Sequence, residues 1–290
     1  MSARRQANER DSAWAVRPSR TDPARRHARL VAVPASHADL LDRPLPAALT
    51  THFGKGRLQS SVVWYWRDGD DVCFSTMREF VKATNLRERP RATLLIWDDT
   101  RWLELRCAAT QVEQTPDEAL AACDDVGFLY CGVRPYFGAV VPAEWAEREH
   151  PVTFRFTPQA VAAGAFAQIP AFAPGPAHDE PTAPAGDEPS LPDDHLDLFT
   201  APAVRLLATL SPDGHARVHP VPAGLVGHRL ATRPTADQAA DLARDARATL
   251  LVVDRANSAR WMEVRADTLP GGDGCATLVP RRVVLDAIHP

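Results

Sequence analysis

Lysine is almost missing from this sequence. Of 33 basic residues only Lys55 and Lys82 are lysine; the rest are arginine. Together with 26 prolines and abundant alanine, that bias marks a GC-rich genome such as an actinobacterial one, which speaks to source and not to activity. No apolar run approaches the ~20 residues that span a bilayer as a helix. The arginine-bearing N-terminus has no apolar stretch of the kind a secretory signal carries. Five cysteines (Cys73, Cys107, Cys123, Cys131 and Cys275) are odd in number and lack CxxC spacing. That argues against a disulfide framework or a zinc site and for a reducing cytoplasm. Acidic side chains number 37 and the net charge is −4, without the basic excess of a nucleic-acid binder. Nucleophile elbow, P-loop, HExxH and catalytic-triad spacings are all missing. The expected partner is a small molecule, with no nucleic acid and no membrane.

What is present is 290 residues, 45% of them hydrophobic, enough for one large domain or two of ordinary size. Residues 1–29 hold eight arginines and three acids with almost no apolar periodicity, the composition of a disordered basic leader. Residues 164–194 are rich in Pro, Ala and acids and read as an extended linker. The chain therefore divides into units at 30–163 and 195–290.

The two units are copies of one another. Arg91-Ala-Thr-Leu-Leu95 recurs letter for letter as Arg247-Ala-Thr-Leu-Leu251, and Arg-Trp-x-Glu-x-Arg follows in both, from Arg101 and from Arg260. The offset is 156 residues for the first motif and 159 for the second, so the intervening turn is three residues longer in the second copy. Two motifs in order at nearly one offset are an internal duplication.

In the first copy, 58–65 and 71–75 read as strands joined by the turn Arg67-Asp-Gly-Asp70. Thr76-x-x-Glu79 has capping-box spacing and predicts a helix ending near Arg89, before Pro90. Strands are expected at 92–97, 102–109 and 152–156, and a helix at 116–123. The second copy repeats the plan, with strands at 204–210, 216–225, 229–232, 248–253, 261–266 and 282–288 and a helix after the third. The pattern is mainly β with short helices (α+β), antiparallel and barrel-like, and not βαβ.

On a helix beginning after Thr76, Arg78, Lys82 and Asn85 fall at i, i+4 and i+7 and share a face near the helix start. Two cations, an amide and a helix N-terminus make a phosphate cradle; a solvated charged face, partly neutralised by Glu79 and Glu88, is the plainer alternative.

Residues 49–109 resemble the flavin-type split-barrel family that includes pyridoxamine 5′-phosphate oxidase and its deazaflavin (coenzyme F420) dependent relatives. The resemblance rests on Gly56, Arg57, Ser60, Trp64, Thr76, Lys82, Asn85, Leu86, Pro90 and Arg91 in order and spacing, and on the strand Trp102-Leu-Glu-Leu-Arg106. Val62 departs from it, standing where the family often has proline. The resemblance implies a fold of tandem split β-barrels packed as a pseudo-dimer. It also implies FMN or F420 as cofactor, held by Arg57, Ser60, Ser61, Thr76, Arg78, Lys82 and Asn85, and hydride transfer to a small unsaturated or imine-type substrate. Family members are usually homodimers with the cofactor between two barrels; a tandem chain can make that pair within a monomer, or dimerise further. In the second copy Pro234, Gln238 and Asp241 replace Arg78, Lys82 and Asn85, which predicts one competent site and one degenerate site.

Two other classes stay open. A haem-binding split barrel would draw an axial ligand from His52, His215 or His219, and a non-catalytic cofactor-binding module would suit a degenerate second copy. Tyr130, Arg134 and Tyr136 follow the expected second helix and offer a proton donor or a carboxylate grip, although an aromatic run there is more often core.

Overall fold

The computed structural model describes residues 31–173 and 189–285. The expected leader, the middle of the expected linker and the end of the last strand lie outside the described residues. The first unit contains β1 (Ala47–His52), β2 (Leu58–Val63), β3 (Trp66–Asp68), β4 (Asp71–Met77), α1 (Val81–Glu88), β5 (Arg91–Trp97), β6 (Arg101–Gln111), α2 (Pro116–Cys131) and β7 (Pro151–Ala165). The second contains β8 (Ala203–Leu210), β9 (Ala216–Pro220), β10 (Ala223–Val226), β11 (Arg229–Thr232), α3 (Ala236–Arg244), β12 (Arg247–Asp254), β13 (Trp261–Pro270) and β14 (Ala276–Leu285).

The seven strands of each unit form one antiparallel sheet. The orders β2-β1-β5-β6-β7-β4-β3 and β9-β8-β12-β13-β14-β11-β10 are the same order written in corresponding strands. Duplication of sequence is thus duplication of topology, and the fold is mainly β, as two barrel-like units.

The repeated pentapeptide has a physical reason. Strand β5 is buried on both faces: Ala92, Leu94 and Ile96 enter the first unit's own core, while Leu95 and Trp97 enter an apolar seam with the second unit. Strand β12 does the same, with Ala248, Leu250 and Val252 inward and Leu251 and Val253 on the seam. A strand with no wet face reads as a continuous apolar run and has little freedom to change.

Polar contacts cross the seam in matched pairs. Thr93 Oγ1 donates to Ala216 O at 2.6 Å, and Thr249 Oγ1 to Leu58 O at 3.0 Å. Buried Glu104 accepts the Val218 N–H at 2.7 Å, and buried Glu263 accepts the Ser60 N–H at 2.6 Å. Each carboxylate also binds the arginine two residues on, Arg106 at 3.0 Å and Arg265 at 2.7 Å. Arg91 donates to Gly214 O at 3.2 Å, and Arg247 donates to Lys55 O. Nearly every polar residue of the two repeated motifs is therefore a contact between the copies.

Several expected elements move. Thr76 does not cap a helix: it lies in β4, paired with Val152 of β7, and α1 begins at Val81 after an uncapped Phe80. The Glu79 side chain turns instead to the His150 N–H and ring. Pairing with a distant strand outweighs a local cap that supplies about 1 kcal/mol. The expected strand 58–65 ends at Val63, and 216–225 is two strands broken at Val221 and Pro222. The second helix is longer than expected. Thr115 and Glu118 cap it reciprocally, Pro116 opens it, and Gly132 closes it at φ 73°, a conformation glycine adopts freely. The copies differ most here, because residues 112–150 of the first unit, α2 included, correspond to the five residues 271–275 of the second.

Candidate functional site

A cavity of about 540 Å³ opens between the units, within the range of small-molecule sites. Most of its wall is the first unit. From β4 come Ser75, Thr76 and Met77, with Phe80 and Lys82 following at the start of α1. From α2 come Cys123, Val126 and Tyr130, spaced so that one helical face looks inward. Tyr136 closes over that face; a Cβ on Gly127 would lie 3.3 Å from its ring, so glycine permits the close approach. The Trp64 and Tyr130 rings stack at 5.1 Å between centroids, and the Tyr130 hydroxyl is fixed against Leu45 O at 3.0 Å. The second unit supplies Asn257, Ser258, Ala259 and Trp261.

Lys82 is the cation that lines this space, and among the described residues it forms no ion pair. Burial strips water from its ammonium and draws its pKa down to about 8, with the Glu263 carboxylate pulling back in part. Its Nζ lies 5.8 Å from the centre of the Phe80 ring. The first-turn amides of Val81 and Lys82 have no backbone acceptor, as helix starts require. Ser75 Oγ is buried without a well-formed hydrogen bond, its neighbour being the Cys123 thiol. An uncompensated cation, free amides at the positive end of a helix and an apolar aromatic wall fit a planar ring bearing an anionic group.

Of the seven residues named from sequence, the structure brings Thr76 and Lys82 to the cavity. Arg78 precedes α1, not on it, and both Arg78 and Arg57 are exposed. The expected shared face of Arg78, Lys82 and Asn85 therefore does not form. Ser60 is a seam residue: its N–H goes to Glu263 and its hydroxyl meets Thr50 Oγ1 at 2.8 Å. Ser61 is buried beside it without a partner for Oγ.

Asn85 is buried and donates to Thr51 Oγ1 at 2.9 Å and Gln59 Oε1 at 3.0 Å, pinning α1 to β1 and the edge strand β2. Asp241 does the same for α3, accepting from Thr209 Oγ1 and from Arg217 Nε, both at 2.9 Å. The replacement of Asn85 by Asp241 thus swaps one helix bracket for another, with Arg217 answering the charge. Gln238, in the place of Lys82, caps α3 with Thr235 and donates to Leu207 O at 2.7 Å.

The three histidines lie away from the cavity wall. His52 is buried with Nε2 unpaired, and burial, with His215 and Arg91 nearby, lowers its pKa to about 4. His215 is shifted down for the same first reason. His219 lies against the Trp102 ring at 5.3 Å, with Nε2 3.7 Å from Glu104. Arg134 pairs with Asp125 and lies over Phe128 at 4.7 Å. Of the aromatic candidates named from sequence, Trp64, Tyr130 and Tyr136 line the cavity; sequence reasoning missed Val126 on α2 and the second unit's turn, for which the signal was the three-residue offset.

Residues 33–162 match the family model described as Pyridoxamine 5'-phosphate oxidase. This stretch of the chain is similar to that family. No curated protein matches the chain. Among solved structures, an F420 reductase is similar at 28% identity, covering 45% of this chain and 98% of its own, with TM-score 0.38. A conserved hypothetical protein from Mycobacterium tuberculosis is similar at 24% identity over 51% of this chain and 96% of its own, with TM-score 0.38. HutZ, a heme storage protein from Vibrio cholerae, is similar at 14% identity over 44% and 89%, with TM-score 0.33. The match covers the first unit, whose strand order the second unit repeats.

Among the described residues no helix is long and apolar enough to cross a membrane. All five cysteines are free.

Proposed function

We propose that the protein is an oxidoreductase that binds FMN or the deazaflavin F420 in the inter-barrel cavity. It would serve hydride transfer to a small unsaturated or imine-type organic substrate. The observation that carries the reading is Lys82, a half-buried ammonium with no ion pair, placed on the wall of an apolar cavity at a helix start. A half-buried charge without an ion-pair partner has lost part of its hydration, and a phosphate on the ligand would supply the partner. Thr76 and the free amides of Val81 and Lys82 would add hydrogen bonds to it, and the Trp64–Tyr130 stack supplies a wall for a planar ring. When bound, either ring supplies two-electron hydride chemistry. The chain's own part is to anchor and orient; a hydride from the reduced ring and a proton from solvent would add across a C=C or C=N bond, leaving the ring oxidised.

The reading takes one site per chain, because the wall built by α2 and residues 132–150 has no counterpart between β13 and β14. We propose the units as 30–163 and 195–290, joined by 164–194 and paired within one chain in place of a homodimer, in a reducing cytoplasm. Absorbance titration with FMN, F420 and haemin tests it. A flavin or deazaflavin band that depends on Lys82 is the expected result; a Soret band lost on replacing His52, His215 or His219 would move the protein to haem chemistry.

A further inference from the structure

The three residues by which the second copy's turn exceeds the first have a destination. In the first unit the β5–β6 turn closes at once: Asp98 Oδ1 accepts from Thr100 N at 2.9 Å and Arg101 N at 2.7 Å. In the second unit Asp254 begins the same way, accepting from Ala256 N at 2.8 Å. A further turn is then inserted, with Asn257 Oδ1 accepting from Ala259 N at 3.1 Å and Asn257 O from Arg260 N at 2.9 Å. Asn257, Ser258 and Ala259 all line the cavity.

The turn is clamped at both ends. Arg255 donates to Asp99 O of the first unit at 2.9 Å and lies over the Phe166 ring at 4.5 Å. Arg260 holds Asp197 at 2.7 Å. Between the clamps two groups are left uncommitted within the described residues: the Asn257 Nδ2 amide, whose oxygen is used by the turn, and the Ser258 hydroxyl. Among the described residues no carboxylate lines the cavity, and its cation is Lys82.

We infer that the turn at 255–260 is a specificity lip, on which Ser258 and Asn257 select neutral, planar ligands carrying a carbonyl-type acceptor. The inference rests on the reading of the cavity as a ligand site. Two uncharged donors at the cavity rim, Asn257 exposed and Ser258 half-buried, favour an uncharged acceptor: they neutralise no carboxylate, and a ligand carrying the acceptor exchanges their water for a hydrogen bond beside the apolar walls. Two identical subunits would carry identical turns, whereas a duplicated chain places a long turn over one cavity alone.

The test uses an isosteric pair, 2-acetylnaphthalene and 2-ethylnaphthalene, which differ by a carbonyl in place of a methylene. Binding to the whole chain is read as quenching of tryptophan fluorescence, since Trp64 and Trp261 line the cavity. The ketone should bind the unaltered protein more tightly than the hydrocarbon. Ser258→Ala should weaken the ketone about five-fold, the worth of one neutral hydrogen bond, and leave the hydrocarbon within two-fold. Asn257→Asp keeps the oxygen that the turn needs, removes the amide donor, and should act in the same direction. Equal binding of the two probes by the unaltered protein, equal loss of both in the variants, or loss of neither would overturn the lip. FMN and F420 titrations of the same proteins separate the two ideas. Cofactor binding without probe discrimination leaves the cofactor reading standing and removes the lip, and discrimination without cofactor binding does the reverse.

Discussion

Replacing Glu263 by alanine should loosen the seam between the units. The carboxylate is 1% exposed, and it accepts the Ser60 N–H across the seam at 2.6 Å and Arg265 at 2.7 and 3.0 Å. Glu263→Ala leaves the guanidinium, on a side chain 16% exposed, without its counter-ion, a loss of about 3–5 kcal/mol for breaking a buried pair from one side. It also leaves the Ser60 N–H without an acceptor, about 1–3 kcal/mol taken alone. The two overlap, so a total near 4 kcal/mol is expected.

Burial holds the Glu263 carboxyl above its usual range, with Arg265 opposing, so its charge contributes little net stability. Glu263→Gln keeps the acceptor for Ser60 but not the counter-ion of Arg265, so it should be less destabilising than Glu263→Ala by about 1–3 kcal/mol, the worth of that one acceptor. Glu104 is the geometric twin, but there the same burial is outweighed by His219, Arg106 and the Val218 N–H, and its pKa is lowered. Glu104→Gln should therefore cost more than Glu263→Gln. A lowered carboxylate pKa means stability that is present above the ordinary value of 4.5 and lost as pH falls below it; Glu263, raised, gains as pH falls through its shifted value. Urea unfolding followed by tryptophan fluorescence at pH 7 measures all of these. A Glu263→Ala protein within about 1 kcal/mol of the unaltered one would refute the assignment of the pair to the seam.

Three further outcomes follow from the site and its supports. Lys82 is depressed to about 8, so affinity for an anionic ligand should fall as pH rises through that value; Lys82→Arg, charged throughout, should keep it to higher pH in titrations from pH 6.5 to 9.5. Asn85→Ala removes donors to Thr51 and Gln59 and should lower stability by about 1–3 kcal/mol in thermal unfolding, with ligand affinity changed less than about three-fold. Gly164→Ala places a Cβ 2.6 Å from a Trp102 ring carbon, and overpacking of that kind costs about 1–3 kcal/mol, read as a lower urea midpoint.

The duplication was legible because the repeated letters are the seam. Residues between Arg91 and Leu95 cannot drift when one face fills a barrel core and the other fills the interface. The start of α1 was misplaced for the opposite reason: Thr76 and Glu79 have the spacing of a local cap, but Thr76 pairs with Val152 and Glu79 with His150, partners no short window contains. Asn85 looked like a member of a ligand face because it lies three residues from Lys82 on one helix, but its amide is taken by Thr51 and Gln59 of distant strands. The wall of α2 had no sequence partner to be compared with, since residues 112–150 have no second copy. The longer turn was visible as an offset, although nothing local said that it would reach the first unit's cavity.

The central claim is that one anion-anchored cofactor site lies between the units, with Lys82 at its head. Its most direct test is a titration of the chain and of Lys82→Ala with FMN and with F420, read for stoichiometry and affinity. The account predicts one cofactor per chain and at least ten-fold weaker binding in the variant, the worth of about 1.4 kcal/mol. Two cofactors per chain, or equal affinity with and without the lysine, would contradict it.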